Sequence, residues 1–388
     1  MSEQPFKKLN NLIGHLPKSK ILAGASLPDG KFKFYLSGKK QGRIDEAISS
    51  KDAIIMGDGG VASIAYAEGY YSYSSHNFGF FSENTSVLTQ YIYRALEEFL
   101  PVIDYKGFVG SGIKNIDKNF LFDLYLQIPP LPEQKKIASI LTSVDKVIEN
   151  TQKQIDKLQE LKNATMNELL TKGIGHTDFK DSKLGQIPKS WKVCSLGELG
   201  QIIDPHPSHR APPEVNDGIP FLGIGDLKEN GEIDTSKVRL VAREEILEHE
   251  KRYQISENTI GFGRVASIGK IIDFPKELKN VLISPTLAVI EPHSVQKKFL
   301  VNYLKSQLII NQLNFLITGS TRSSLGIQLL RELSIFLPPL PEQKEIASIL
   351  TSMDRNIEEK QHKLLQIQSL KKSLMQDLLT GKVRVTVS

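Results

Sequence analysis

Two stretches of the chain carry the same narrow apolar stripe. In the first, Ile137, Leu141, Val144, Ile148, Ile155 and Leu158 step by fours and threes, pass over Thr151, and continue less strictly through Leu161, Met166 and Leu170. In the second, Ile346, Leu350, Met353, Ile357, Leu364 and Ile367 do the same, pass over Lys360, and continue through Leu370, Leu374 and Leu378. Apolar residues at this spacing, with Lys, Glu and Gln elsewhere, predict long helices with a coiled-coil seam. Pro132 and Pro341 suit the first turn, and Glu133 and Glu342 complement the helix dipole there. Lys172-Gly173 and Gly381-Lys382 supply the basic last turn and glycine cap. Such helices would be roughly 60 Å long, more than a globular core needs. Elsewhere the pattern is of short β-rich runs, such as Ala53 to Met56, Gly69 to Ser74 and Val281 to Ser284, with helical stretches at Leu88 to Leu100 and Lys297 to Leu316.

The two stripes belong to an internal repeat. PPLPEQKKIASILTSVD, from Pro129 to Asp145, returns as PPLPEQKEIASILTSMD, from Pro338 to Asp354, an offset of 209 that also relates Gly110-Ser111 to Gly319-Ser320. Further upstream the best match shifts to 204, placing Gly57 to Ile64 over Gly261 to Ile268. The chain therefore divides into a globular part at 1–128, a helix at 129–173, a linker at 174–189, a second globular part at 190–337 and a second helix at 338–382. Each globular part reads as α+β. A two-fold relation between the halves would set the helices antiparallel, with a globular part at either end of a rod.

Length suggests two or three domains. With 49 Lys and Arg against 44 Asp and Glu, the net charge of +5 permits a polyanion partner without demanding one. The single cysteine, Cys194, excludes a disulfide framework and thiolate zinc sites, and points to a reducing compartment, the cytoplasm by default. No run nears the ~18 apolar residues of a spanning helix, and the N-terminus lacks a signal-peptide pattern, so no membrane role is expected.

No catalytic constellation emerges: G-x-S-x-G, the P-loop, H-E-x-x-H and the Asn/Asp-Pro-Pro-aromatic motif are all missing from the sequence. The pattern Gly57-x-Gly59-x-x-Ala62 formally fits a dinucleotide fingerprint, but no helix opens on it, and a strand turn needing positive φ is the better account. His206 and His209 sit with Arg210 in a proline-rich loop; metal, DNA and a plain surface loop all remain open, although no Cys or carboxylate pair completes a ligand set. Three features could touch a nucleic acid. The run from Lys31 to Arg43 holds Lys31, Lys33, Lys39, Lys40 and Arg43 without an acid, and strand alternation would place Lys31, Lys33 and Tyr35 on one face with Phe32 and Phe34 inward. The loops with Ser111, Lys114 and Asn115 and with Ser320, Thr321, Arg322 and Ser323 occupy matching places in the repeat and join hydroxyls and amides to a cation. Arg264 and Lys270 flank the second glycine turn.

Two diverged globular halves, each followed by a P-P-L-P-E-Q-K-x-I-A-x-I-L helix ending in L-L-T, together with G-x-I-P-x-x-W at Gly185 to Trp191, resemble the specificity subunit of type I restriction-modification systems. The resemblance covers essentially the whole chain. It implies two target recognition domains, each binding one part of a split sequence in double-stranded DNA. It implies helices that serve as the spacer on which two modification (methyltransferase) subunits and the restriction (translocase and nuclease) subunits assemble. It implies no catalysis and no cofactor of this chain's own, with S-adenosylmethionine on the modification subunit. The first half departs from the pattern by lacking I-P-x-x-W and starting near Phe6-Lys-Lys-Leu9, which suggests a trimmed or different beginning. Two other readings compete: a non-catalytic coiled-coil adaptor with protein-binding end domains, which would show no salt-dependent DNA binding, and an enzyme with an unrecognised site.

Overall fold

In the computed structural model the described residues are 5–38, 41–112, 114–206, 211–226, 234, 238–274, 280–317 and 324–386, the side chains of 248 and 317 aside. They form two compact units, Met1–Gln154 with Lys360–Ser388 and Ile155–Glu359. The two stripes do form long helices, Leu131–Lys172 and Leu340–Leu379, of 42 and 40 residues. Both begin one residue before the proline, and both end where Gly173 and Gly381 take positive φ, 67° and 69°.

In the first unit, the start of the first long helix packs against the end of the second. Ile137 and Leu141 share a buried cluster with Met375, Leu378 and Leu379, and Lys371 reaches Asp145 at 2.7 Å. In the second unit the roles reverse: Ile346 and Leu350 pack with Met166 and Leu170, and Lys162 pairs with Asp354, the repeat equivalent of Lys371 with Asp145. Both sets of contacts require antiparallel helices. The same clusters contain domain residues, Tyr91, Leu96 and Leu126 in one unit and Trp191, Tyr303 and Phe336 in the other. The apolar stripe thus serves two surfaces at once, a partner helix and a globular core.

Seam residues Ile137, Leu141, Ile155, Ile346, Leu350, Ile357 and Leu364 are buried, and Val144, Ile148, Leu158, Met353 and Ile367 are half-buried. The looser continuation needs correcting, because Leu161 and Leu370 are 55% and 54% exposed. The skipped position Thr151 is instead buried, its hydroxyl donating to the Val147 carbonyl at 2.7 Å, while Lys360 donates to Gln154 Oε1 at 2.9 Å. A hydroxyl satisfied within its own helix sits in a seam at little cost.

The repeated Glu-Gln pair at each helix start explains its own retention. Gln134 Oε1 accepts from Leu88 N, where the domain helix Thr89–Val102 begins, and its amide donates to the Pro129 carbonyl at 2.7 Å. Gln343 repeats the bracket with Gln296 N, ahead of the helix Lys297–Leu304, and with the Pro338 carbonyl. Glu133 is buried and binds Arg384 through both oxygens at 2.7 Å; Glu342 accepts from Ile174 N, His176 Nε2 and Trp191 Nε1. Each glutamate therefore receives the segment that follows the other helix, a stronger role than dipole compensation.

Both globular parts are α+β with one topology. The four-stranded sheet of the first unit runs Ile13–His15, Asn77–Ser82, Ala53–Gly57, Ile64–Ala67; that of the second runs Gly200–Ile203, Leu287–Pro292, Ile260–Gly263, Ile271–Asp273. A three-stranded sheet accompanies each, with a parallel pair between Phe32–Tyr35 and Tyr71–Tyr73 and between Ile219–Leu222 and Leu282–Ile283. Ile54 faces Phe80 as Ile260 faces Ile290, so Gly57 corresponds to Gly263 and the upstream offset is 206, correcting the 204 read from sequence. A slip of two residues keeps every side chain on its own face of the sheet, so hydrophobic alternation could not reject the wrong alignment. The expected linker is also partly structured: Phe179–Ser182 and Gly185–Pro188 form a hairpin, and Trp191 beyond it is fully buried. The single helix expected over Lys297 to Leu316 is two, broken between Leu304 and Gln307.

Replacing Leu141 or Leu350 with alanine should cost about 2–5 kcal/mol each by chemical denaturation, whereas Leu161→Ala and Leu370→Ala should change stability by less than about 0.5 kcal/mol. Equal losses at all four positions would contradict the seam described above.

Candidate nucleic-acid interface

At one end of the four-stranded sheet in the first unit, four loops meet. The strand Ala53–Gly57 runs into the glycine turn, where Asp58 N donates to the His76 carbonyl (3.0 Å) and Ile116 N donates to the Asp58 carbonyl (3.0 Å). Gly59 bridges to Asn115, and Gly60 N donates to the Lys114 carbonyl at 2.8 Å. Ser37 Oγ donates to the His76 carbonyl, and Gly38 N donates to Ser63 Oγ. The turn and the 110–115 loop, far apart in sequence, are thereby one surface, with Ser111, Lys114 and Asn115 exposed on it. Among the described residues, immediate chain neighbours aside, no atom lies within 4 Å of where a Cβ would stand on Gly38, Gly60 or Gly112, so the backbone there is open to close approach.

The second unit builds the same ladder. Arg264 N donates to the Thr286 carbonyl (2.8 Å), Leu325 N donates to the Arg264 carbonyl (2.9 Å), and Val265 bridges to Ser324. Position by position, Asp58 becomes Arg264, His76 becomes Thr286, Val61 becomes Ser267 and Asn115 becomes Ser324. Gly60, at φ 89°, corresponds to Ala266, at φ 60°. The positive-φ turn expected from the glycine pattern exists, but Gly57, Gly59, Gly261 and Gly263 do not supply it, and in the second copy an alanine does, at a steric cost of about 1–2 kcal/mol.

The remaining candidates divide by burial. Lys31 and Lys33 are exposed, and Arg43 is exposed but donates to the Gly30 and Lys31 carbonyls at 2.5 and 3.0 Å, holding its own strand pair. Tyr35 is a correction: it is buried between the strand pairing and Tyr71, donates to the Tyr66 carbonyl at 3.2 Å, and burial pushes its phenol up to about 12. The alternation expected of that strand fails at its end because both faces are covered there. Arg264 is a second correction, being buried, with Nε donating to the Leu325 carbonyl (2.9 Å) and Nη1 paired with Asp204 at 3.0 Å. It braces the loops from beneath and is not an exposed reader. His206 is a third, buried with ring centroids 4.9 Å from His249 and 5.9 Å from Phe221. Lys270 is exposed. Lys39, Lys40, His209, Arg210, Ser320, Thr321, Arg322 and Ser323 lie outside the described residues. No group of three potential metal ligands occurs among the described residues, and no described helix is long and apolar enough to cross a membrane.

Two features of this surface escaped the sequence reading. Asp104 Oδ1 accepts from Ala62 N at 2.7 Å, tying the glycine turn to a π-helical turn, Ile103–Gly107, at the end of the domain helix. Tyr105, on that turn, is 83% exposed. Pro101 inside the preceding helix, Thr89–Val102, was the available signal that regular geometry fails nearby.

A family model described as the type I restriction modification DNA specificity domain matches residues 10–160 and 188–369. Among curated relatives, the type I restriction enzyme MjaVIII specificity subunit of Methanocaldococcus jannaschii is 31% identical over 282 residues, covering 71% of this chain and 66% of the relative. A putative type I restriction enzyme MjaX specificity subunit of the same organism is 34% identical over 70% of this chain and 62% of its own length. The matched stretch thus spans just under two thirds of these relatives. A crystal structure of a type I restriction-modification system S subunit from M. genitalium superposes with a TM-score of 0.63 at 17% identity, over 98% of this chain and 96% of that one, a likeness of fold.

Three outcomes follow from this geometry. Ala266→Gly should raise stability by about 0.5–1 kcal/mol through relief of the positive φ, read as a higher denaturation midpoint. Arg264→Ala should lower stability by about 1–3 kcal/mol, because it strips a buried carbonyl and Asp204 of their donor. Burial and then the neighbouring His206 hold the His249 imidazole below its ordinary 6.5. The folded state therefore favours neutral His249, and stability should fall as pH drops through 6.5 toward its lower folded value. Denaturation at pH 7.5 and 5.5 should show a smaller difference for His249→Phe than for the parent; an unchanged difference would reject this assignment.

Proposed function

Because the chain belongs to the type I restriction-modification DNA specificity domain family, we propose that it is the sequence-reading, non-catalytic subunit of a type I restriction-modification complex. The first unit reads one part of a bipartite target and the second unit the other. The long helices carry two modification subunits, which hold S-adenosylmethionine, and the restriction subunits, with the assembly acting on double-stranded DNA in the cytoplasm.

One observation carries this reading. The same backbone rungs recur in both units, from Asp58 N and Arg264 N to the His76 and Thr286 carbonyls and from Ile116 N and Leu325 N to the Asp58 and Arg264 carbonyls, while the exposed side chains beside them differ: Asn115 against Ser324 and Val61 against Ser267. The long helices meanwhile keep nearly one sequence through Pro129 to Asp145 and Pro338 to Asp354, differing at Lys136 against Glu345 and Val144 against Met353 and sharing the exposed Lys135, Ser139 and Ser143 with their counterparts Lys344, Ser348 and Ser352. Divergent loops on a common scaffold suit two different half-sites, because base edges are told apart by donor and acceptor pattern. Helix surfaces so nearly alike suit one kind of partner met twice.

The test is methylome sequencing of cells with and without the gene. A split adenine-methylated motif should vanish with the gene. Exchanging the 110–115 loop for that of a relative should alter one half of the motif and leave the other half intact. Changes in both halves together would reject the division of labour, and transfer of methyl label to DNA by the pure chain alone would reject the non-catalytic assignment.

A further inference from the structure

The loop surface of the first unit holds an apolar feature that hydrogen-bond readout does not use. The strand residues Phe108–Val109 pair with Asn115–Ile116, and Asn115 also bridges to Gly59, so Gly59, Asn115 and Val109 lie side by side on three neighbouring segments. Two residues past Gly59 stands Val61, 68% exposed; Val109 is 56% exposed. The hydrogen bond from Ala62 N to Asp104 Oδ1 clamps this turn to the π-helical turn that carries Tyr105, 83% exposed. Three large apolar side chains are thus presented to solvent by one small module. Single exposed apolar residues need no account, but a group held together by tertiary hydrogen bonds does.

The surroundings state what kind of surface would cover it. Lys106 and Lys114 are exposed beside it, and the backbone at Gly60 and Gly112 is open. The neighbouring acids are engaged by backbone amides, Asp104 at Ala62 N and Asp117 at Asn119 N and Phe120 N, which leaves half-buried Asp58 as the acid of the turn itself. Cations and open backbone around an apolar centre complement a nucleic acid, whose phosphates meet the rim and whose bases offer flat apolar faces to the middle.

We propose that Tyr105, supported by Val61 and Val109, is an aromatic wedge that presses on the base stack of the half-site read by the first unit. The inference rests on the DNA-reading function proposed above. It assigns to Tyr105 a share of affinity that comes from opening a base step, not from a base-specific hydrogen bond. At the place of Val61 the second unit has Ser267, so the deformation belongs to the first half-site.

The experiment uses the chain assembled with its modification subunits and duplexes bearing the methylated motif, with 2-aminopurine placed at successive steps of one half-site or the other. Binding should raise 2-aminopurine fluorescence at one step of the first half-site only. Tyr105→Ala should abolish that rise and weaken affinity by about tenfold with an unchanged salt slope, since no phosphate contact is lost. Tyr105→Phe should keep both signals, and Val61→Ser should reduce them. These positions are exposed, so the variants should assemble like the parent, which size-exclusion chromatography checks. Parental affinity and fluorescence in Tyr105→Ala would overturn the wedge while leaving DNA reading intact. Equal loss in Tyr105→Phe would overturn it in favour of a hydroxyl contact. A parent complex without sequence preference would overturn the DNA reading, and the wedge with it.

Discussion

Each unit depends on burial of a narrow apolar stripe that a helix of 40 or more residues cannot shelter by itself. Ile137 and Leu141, or Ile346 and Leu350, are wholly withdrawn from water only because a globular core covers one side and the antiparallel helix covers the other. Removing either surface would expose the stripe. Domain and helix pair are therefore one folding problem in each unit, and the Glu-Gln pair at the start of each long helix shows how it is solved. Glutamine fastens the helix to the domain helix, and glutamate fastens it to the segment arriving from the other helix.

Charge is used more heavily in the first unit. Arg94, buried, lies 2.5 Å from both Glu97 and Asp145, and Lys371 completes the group from the second long helix. At the corresponding places the second unit has Asn302, Lys305, Asp354 and Lys162, and keeps the Lys162–Asp354 pair. A partly buried group of two cations and two anions is weak evidence for extra stability, since desolvation offsets much of the attraction. Its geometric consequence is firmer: it holds the domain helix, the first long helix and the second in one register.

Above this rigid base the loop surfaces differ freely. Much of their backbone is held by hydrogen bonds between main-chain groups, such as Gly60 N to the Lys114 carbonyl and Leu325 N to the Arg264 carbonyl, which need no particular side chain. This is why side chains of opposite charge can stand at one position, and why Ala266 can be held at positive φ by its surroundings. Specificity can then change by substitution without rebuilding the scaffold, the condition that a reader of variable sequences must meet.

By itself the sequence determined the repeat, the two long helices with their caps, the α+β class of the globular parts and the family resemblance. All of these rest on local chemistry: three-four spacing, proline and glycine at helix ends, and a long, nearly identical segment. Only the tertiary structure decided the rest. It set the upstream offset at 206, because strand pairing distinguishes alignments that alternation cannot. It withdrew Tyr35, His206 and Arg264 from the surface, because burial is decided by what the tertiary fold packs around a residue and not by residue type. It brought Asp104 and Tyr105 to the glycine turn across some forty residues of chain, through a hydrogen bond that no local pattern encodes.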